Sequence, residues 1–294
     1  MDTADEGALA PTVTRDLVGR ARRAWADPVA AYRGVLAETA ALGEHLWHYP
    51  QGFGRERILA RGFYAEHRTD ALPLGERGLA VTDMTEAATP VLLVHGINDN
   101  RSAFVRLRPA LHRRGYGVVH AVNYSVLTPL TGDVREAARE LSTHVERLRA
   151  RTGAEVVHVI GHSLGGLVAR YYVQCLGGHA VVGSLVTMGT AHHGSLVASA
   201  LPPTRLVRQL RPGSDLVREL ARPAPGCRTR FLSVWSHGDP LMVPRSSARL
   251  DHPDLDVEHL ELDHVGHLAM VGHPRVHHRV LTWLGRGDDR RRAA

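Results

Sequence analysis

Ser163, Asp239 and His267 stand in this order along the chain, and a hydroxyl, a carboxylate and an imidazole are the parts from which nucleophilic acyl transfer is built. A serine hydroxyl is a weak nucleophile at neutral pH, so it needs a base. The base in turn needs a carboxylate to orient it and to stabilise its cation. Ser163 lies in the stretch IGHSLGG, with Gly161 and Gly165 two positions to either side and Gly166 just beyond. A strand that turns sharply into a helix strains the backbone of its middle residue and brings strand and helix close together, so the flanking positions must be small. The hydrophobic period changes at this serine. Val156, Val157, Val159 and Ile160 read as a buried strand, whereas Leu167, Val168, Tyr171, Tyr172 and Cys175 recur at helical spacing.

The partners follow from chain order and strand ends. Asp239 comes just after the strand-like run TRFLSVWS, and His267 just after VEHLEL, where Gly266 lets the loop bend and present the imidazole. Asp251, Asp254 and Asp256 are rival acids, but they precede the last strand and belong toward its opposite end. His264 and His273 are rival bases; His267 is preferred on its strand-end position and the glycine before it. The remaining histidines, including His277 and His278, read as surface or packing residues. The oxyanion formed on attack needs two backbone N–H donors fixed in advance. Leu164, at the N-terminus of the helix after the serine, is one, and Ile97, in the loop after the strand PVLLVHG, is the other. Gly96 leaves room for substrate and His95 orients that loop.

These residues need a scaffold that gathers loops at one edge. From residue 90 the chain supplies strand-like runs PVLLVHG (90–96), VVHAVNY (118–124), EVVHVIG (155–161), VVGSLVTMG (181–189), TRFLSVWS (229–236) and VEHLEL (257–262). Helical patterns alternate with them at residues 103–114, 133–151, 164–176 and 274–284. In the second of these, Asp133 caps the start, Ala137, Leu141, Val145 and Leu148 share a face, and Gly153 ends it. Near-continuous apolar strands alternating with helices predict a mostly parallel, twisted sheet covered on both faces, with chemistry beyond the carboxyl ends of its strands. Upstream, residues 14–47 read as two helices separated by Asp27 and Pro28. Leu17, Ala21 and Trp25 share a face in the first, and Val29, Tyr32, Leu36, Leu42 and Leu46 form a stripe in the second. An amphipathic stripe usually faces a core, so residues 1–88 are expected to be a helical extension packed on the main domain; a cap over a cleft, or a lipid-facing surface, is the alternative. Residues 1–13 and 286–294 read as disordered ends, which leaves 89–285 as the catalytic domain.

Composition removes other classes. The 294 residues contain no lysine, so Schiff-base chemistry and the P-loop lysine are excluded. The net charge of +6 comes from arginines spread along the chain with few aromatics among them, which argues against nucleic acid. Cys175 and Cys227 stand alone, without a CxxC pair, so neither a disulfide framework nor a zinc site is suggested. No segment is long and apolar enough to cross a bilayer and the first residues lack signal-peptide character, so a cytoplasmic location is expected unless a leader has been removed.

At these residues the chain resembles the α/β-hydrolase superfamily, and within it bacterial lipases and esterases of the triacylglycerol lipase type. The matching segments, VLLVHGIND, VIGHSLGGLVARYYV, VTMGTAHHGS, LRPGSDLVREL, SHGDPLMVPRSSA and VGHLAM, run in the family's order over residues 89–284. The resemblance implies an α/β-hydrolase fold with a helical lid insertion at about 192–225, and a cleft whose acyl side is lined by the segment containing His192 and His193. Ala191 stands where the family usually has proline. The insertion is either a mobile lid over an acyl groove or a fixed helical excursion. No cofactor is implied, and no acidic cluster has the spacing of a calcium site. The expected function is hydrolysis of carboxylic esters of apolar acyl chains, a lipid ester being the partner, with transient contact to a lipid surface. An acyltransferase or thioesterase using the same three residues, and a catalytically silent lipid- or partner-binding module, are the alternatives.

Overall fold

The computed structural model describes residues 14–16, 18, 19, 21–23, 26–62, 89–123 and 132–292, and the side chains of all of these except 53–62 and 287–292. Six strands, β1 (Val91–Val94), β2 (Val119–Val122), β3 (Val157–His162), β4 (Val182–Met188), β5 (Arg230–Ser236) and β6 (Asp256–Leu262), form one sheet in the order β2-β1-β3-β4-β5-β6. Every pairing is parallel. Parallel strands need crossovers, and the helices that provide them bury both faces, which is why β1 and β3 are buried at every position.

On one face lie α3 (Val134–Thr152) and α4 (Leu164–Cys175), with the short α5 (Arg205–Gln209) and α6 (Asp215–Leu220) outside them; on the other lie α2 (Leu107–Arg113), α7 (Ala269–Gly272) and α8 (Pro274–Arg292). The residues of β1 split between the two cores, Leu92 and Val94 into the first and Val91 and Leu93 into the second. The capping signals of α3 act as read: the Asp133 carboxylate accepts from the Arg135 N–H at 2.6 Å, and Gly153 closes the helix at φ 71°. Leu17, Trp25, Tyr124 and residues 1–13, all singled out in the sequence, lie outside the described residues.

Two segments differ from expectation. The charged segment after residue 285 continues α8 to Arg292. Arginine is a strong helix former, and extending an existing helix avoids the cost of nucleating one. The larger difference is α1 (Pro28–Gly62), which runs well past residue 47. Its apolar stripe does not face the core: Val29, Tyr32, Leu36, Leu42 and Leu46 are 59%, 64%, 49%, 47% and 63% exposed. The side turned inward is the row Ala31, Gly34, Glu38, Ala41, His45 and His48, each partly covered. Small residues explain the choice. A Cβ at Gly34 would collide with the carbonyl oxygen of His264, so this face alone lets the helix axis come close to the loop after β6. The Arg106–Glu44 ion pair at 2.8 Å and the Arg23–Asp263 pair at 2.8 Å fasten the segment at either side.

Candidate active site

Ser163 stands at the junction of β3 and α4 with φ 54° and ψ −122°, a left-handed conformation rare for a residue with a side chain. Such strain, on the order of 1–3 kcal/mol, persists only where the surroundings hold it. Here they do. The Ser163 N–H donates to the Met188 carbonyl at 2.8 Å and the Thr190 hydroxyl donates to the Ser163 carbonyl at 3.1 Å. A Cβ at Gly161 would run into Gly166, and one at Gly165 into the Val94 carbonyl, which is the clearance read from the sequence.

Asp239 and His267 come together from the loops after β5 and β6. The His267 Nδ1–H donates to Asp239 Oδ2 at 2.7 Å, while Asp239 Oδ1 accepts the Leu241 N–H at 2.9 Å. The carboxylate is 0% exposed, so both of its oxygens are spoken for within the protein. Gly189 separates this pair from the serine strand: a Cβ there would lie 3.0 Å from Asp239 Oδ2 and 3.1 Å from His267 Nδ1. Since Met188 and Thr190 hold Ser163, the three residues surround one glycine. His162, next to Ser163, packs on the His267 ring with centroids 4.7 Å apart and planes tilted by 44°, and donates from Nε2 to the His267 carbonyl at 3.1 Å.

Burial by itself would lower the proton affinity of His267, but the Asp239 charge and hydrogen bond, with Glu38 and Asp99 nearby, outweigh it and raise its pKa above 6.5. Burial pushes the pKa of His162 far down, and the neighbouring His267 adds to this, so the two packed rings are set apart in charge. Asp99, also buried, has its carboxyl raised by burial, against the pull of its hydrogen bond from the Asn100 amide and of His45.

Ile97, Ser163 and Leu164 line one cavity together with Leu167, Val197, Leu201, Val207, Leu210 and Met242. The wall is hydrocarbon apart from Ser163 and Ser195. His95 is buried and donates from Nδ1 to the Gly96 carbonyl at 2.8 Å, and Gly96 packs against Ser163, where a Cβ would sit 3.0 Å from the serine Cβ. His192 and His193 stand elsewhere. The first is buried between the Thr187 hydroxyl, 3.0 Å from its Nε2, and Arg170; the second is exposed, and from their segment it is Ala191 and Ser195 that reach the cavity. The rival acids and bases lie apart too. Asp254 accepts the Ala224 N–H, Asp251 pairs with Arg249, His264 turns its carbonyl to α1, and His273 sits between α7 and α8.

The sheet and the helices that carry this arrangement superpose on those of solved structures. Aspergillus fumigatus lipase B superposes with a TM-score of 0.57 at 18% identity, over 66% of this chain and 51% of that one. Bacillus licheniformis lipase BlEst2 in mature form gives 0.53 at 15% identity, over 66% and 91%. The chain has the α/β-hydrolase fold. The family model of palmitoyl protein thioesterase matches residues 90–223 of this chain. A triacylglycerol lipase of Burkholderia plantarii is 36% identical over 124 residues, 40% of this chain and 34% of that protein, and one of Vibrio cholerae is 30% identical over 158 residues, 52% and 45%. The chain thus spans less than half the length of these curated relatives.

Sequence reasoning missed Glu38, His162 and Gly189. His162 was readable only as the neighbour of Ser163, and Gly189 only as the end of a strand. Glu38 had no local signal at all, because its partners are 230 residues away.

Proposed function

We propose that this α/β-hydrolase cleaves carboxylic esters of apolar acyl chains through Ser163, His267 and Asp239. The observation that carries the reading is the buried His267–Asp239 hydrogen bond of 2.7 Å at the rim where Ser163 opens into an apolar cavity. The Ser163 oxygen attacks the ester carbonyl carbon while Nε2 of His267 takes its proton, and Asp239 stabilises the imidazolium. The N–H groups of Ile97 and Leu164 receive the oxyanion. Collapse expels the alcohol, protonated by His267. Water, activated by the same imidazole, then releases the acid and restores the serine.

The proposed substrate is a lipid-like ester. Transient contact with a lipid surface is the partner this reading includes, supported by the outward apolar stripe of α1. Hydrolysis of nitrophenyl esters from acetate to palmitate tests the proposal: turnover is expected in the wild type and its loss in Ser163→Ala. A wild type that neither turns over nor reacts with a fluorophosphonate probe would make the chain a silent binding module. A second reading, thioester hydrolysis, is favoured by the family match over residues 90–223. Faster release of acid from palmitoyl-CoA than from nitrophenyl palmitate would support it, whereas faster transfer to an added alcohol than to water would indicate an acyltransferase.

A further inference from the structure

The inward face of α1 reaches the His267 loop directly. Glu38 Oε1 accepts the Leu268 N–H at 2.9 Å and Oε2 accepts the Ala269 N–H at 2.8 Å. The carboxylate also packs on the α-carbon of Gly266, where any side chain would collide with it. One side chain therefore touches the residue before His267 and the two after it. The other restraints on the histidine come from the sheet: Asp239 grips its ring and His162 its carbonyl. Glu38 is the only one of the three from outside the 89–285 segment. It is not a wandering surface group, since Gly34 seats its helix against His264 and Glu44 pairs with Arg106 two turns on.

We propose that Glu38 is a positioning residue for His267, so that the N-terminal helix completes the active site. The inference rests on reading His267 as the general base. A carboxylate that accepts two adjacent N–H groups fixes the peptide planes on the C-terminal side of the histidine, and thereby the direction in which the imidazole leaves the chain. Its negative charge also favours the imidazolium formed during attack. The groups facing His267 are Asp239 from the loop after β5, Asp99 from the loop after β1, Glu38 from α1 and the ring of His162 at the end of β3; His45 of α1 stands behind Asp99 at 3.4 Å.

The test compares wild type, Glu38→Gln and Glu38→Ala. Glu44→Ala serves as a control that loosens the same helix at Arg106 without touching the histidine loop. Nitrophenyl butyrate turnover is followed across pH, and the His267 imidazole is titrated by NMR, its resonance identified by its loss in His267→Gln. Glu38→Ala is expected to lower kcat about tenfold or more with KM within about twofold, the pattern of lost orientation rather than lost binding. Both Glu38 variants should move the His267 titration, and the acidic limb of kcat/KM, to lower pH, and Glu44→Ala should move neither. Glu38→Gln keeps the shape and one acceptor, so it carries the test if Glu38→Ala does not fold. An unchanged His267 titration in folded Glu38→Gln overturns the proposal. So does an unchanged kcat in a protein whose wild type turns over, or an equal loss in Glu44→Ala. Failure of the hydrolase reading looks different: wild type and Ser163→Ala are then equally inactive, and the NMR titration alone still decides the role of Glu38.

Discussion

At the scale of single residues, the proposed chemistry depends on a buried charge arrangement beside an apolar pocket. Asp239 has both oxygens paired within the protein, so replacing one of them by an amide nitrogen sets a donor against the His267 Nδ1–H or the Leu241 N–H. The histidine would then turn or change tautomer. Asp239→Asn should lower kcat by about 10⁴-fold with little change in KM, measured by steady-state ester hydrolysis. A base must be neutral to accept a proton, and the pKa of His267 lies above 6.5 because Asp239, Glu38 and Asp99 overcome its burial. Activity should therefore fall as pH drops, with the midpoint of the acidic limb of kcat/KM above 6.5. A limb below that value would contradict the assignment of His267 as the base. Ser163 and its glycines were legible because a strained turn has strict local requirements. Asp239 and His267 were legible because chain order and strand ends leave few choices.

At the scale of elements, two segments decide how the site is framed: one holds the His267 loop and the other walls the cavity. The first is α1. Its sequence advertises an apolar stripe, yet the helix docks by its small and polar side, since only there can the backbones approach. In Gly34→Ala the new methyl meets a backbone carbonyl, which cannot swing aside as a side chain would. We expect a loss of about 1–3 kcal/mol, seen as a lower unfolding midpoint, together with reduced turnover as Glu38 is carried away from the His267 loop. Unchanged stability and turnover would mean that the helix does not sit as described.

The second segment is the insertion after residue 192. It is pinned at several points: Gln209 accepts the Val134 N–H at 2.9 Å, Arg135 and Glu219 pair through two contacts of 2.7 and 3.0 Å, and Arg205 meets Asp133 at 2.7 Å. Arg170, 1% exposed, donates to the Leu220 carbonyl at 2.9 Å. Burial lowers its guanidinium to about 9, so it remains charged at neutral pH. These contacts favour the fixed excursion over the freely moving lid. Arg170→Met should cost about 1–3 kcal/mol by leaving buried carbonyls short of a donor, and should expose residues 205–220 to limited proteolysis.

For the whole molecule, the unusual quantity is its 20 histidines against a net charge of +6. Burial drives His162 and His192 well below their usual range and His120 to about 4. In the unfolded chain these rings take up protons near 6.5, so between that pH and their folded values the unfolded state binds more protons. The stability they contribute is present above about 6.5 and is lost as pH falls toward the folded values. His267 works in the opposite direction, stabilising the fold below 6.5 and losing that contribution as pH rises through its elevated value, but it is one group against several. The unfolding midpoint should therefore decline steadily from pH 7 to pH 5, measured by thermal melts in matched ionic strength. A midpoint flat across that range would mean that the buried rings are not held neutral.

What the sequence by itself determined is what local chemistry and period can specify. The alternation of apolar strands with capped helices called for a parallel sheet, glycines around Ser163 called for a strained turn, and strand ends singled out Asp239 and His267. The tertiary structure alone decided which face of α1 turns inward, that His192 belongs to a buried network with Thr187 and Arg170, and that Glu38 grips a loop 230 residues away. The physical reason is range. Strain, capping and periodicity act within a few residues, whereas the fit of a glycine against a distant carbonyl, or of a carboxylate onto two distant amides, exists only once the chain has folded.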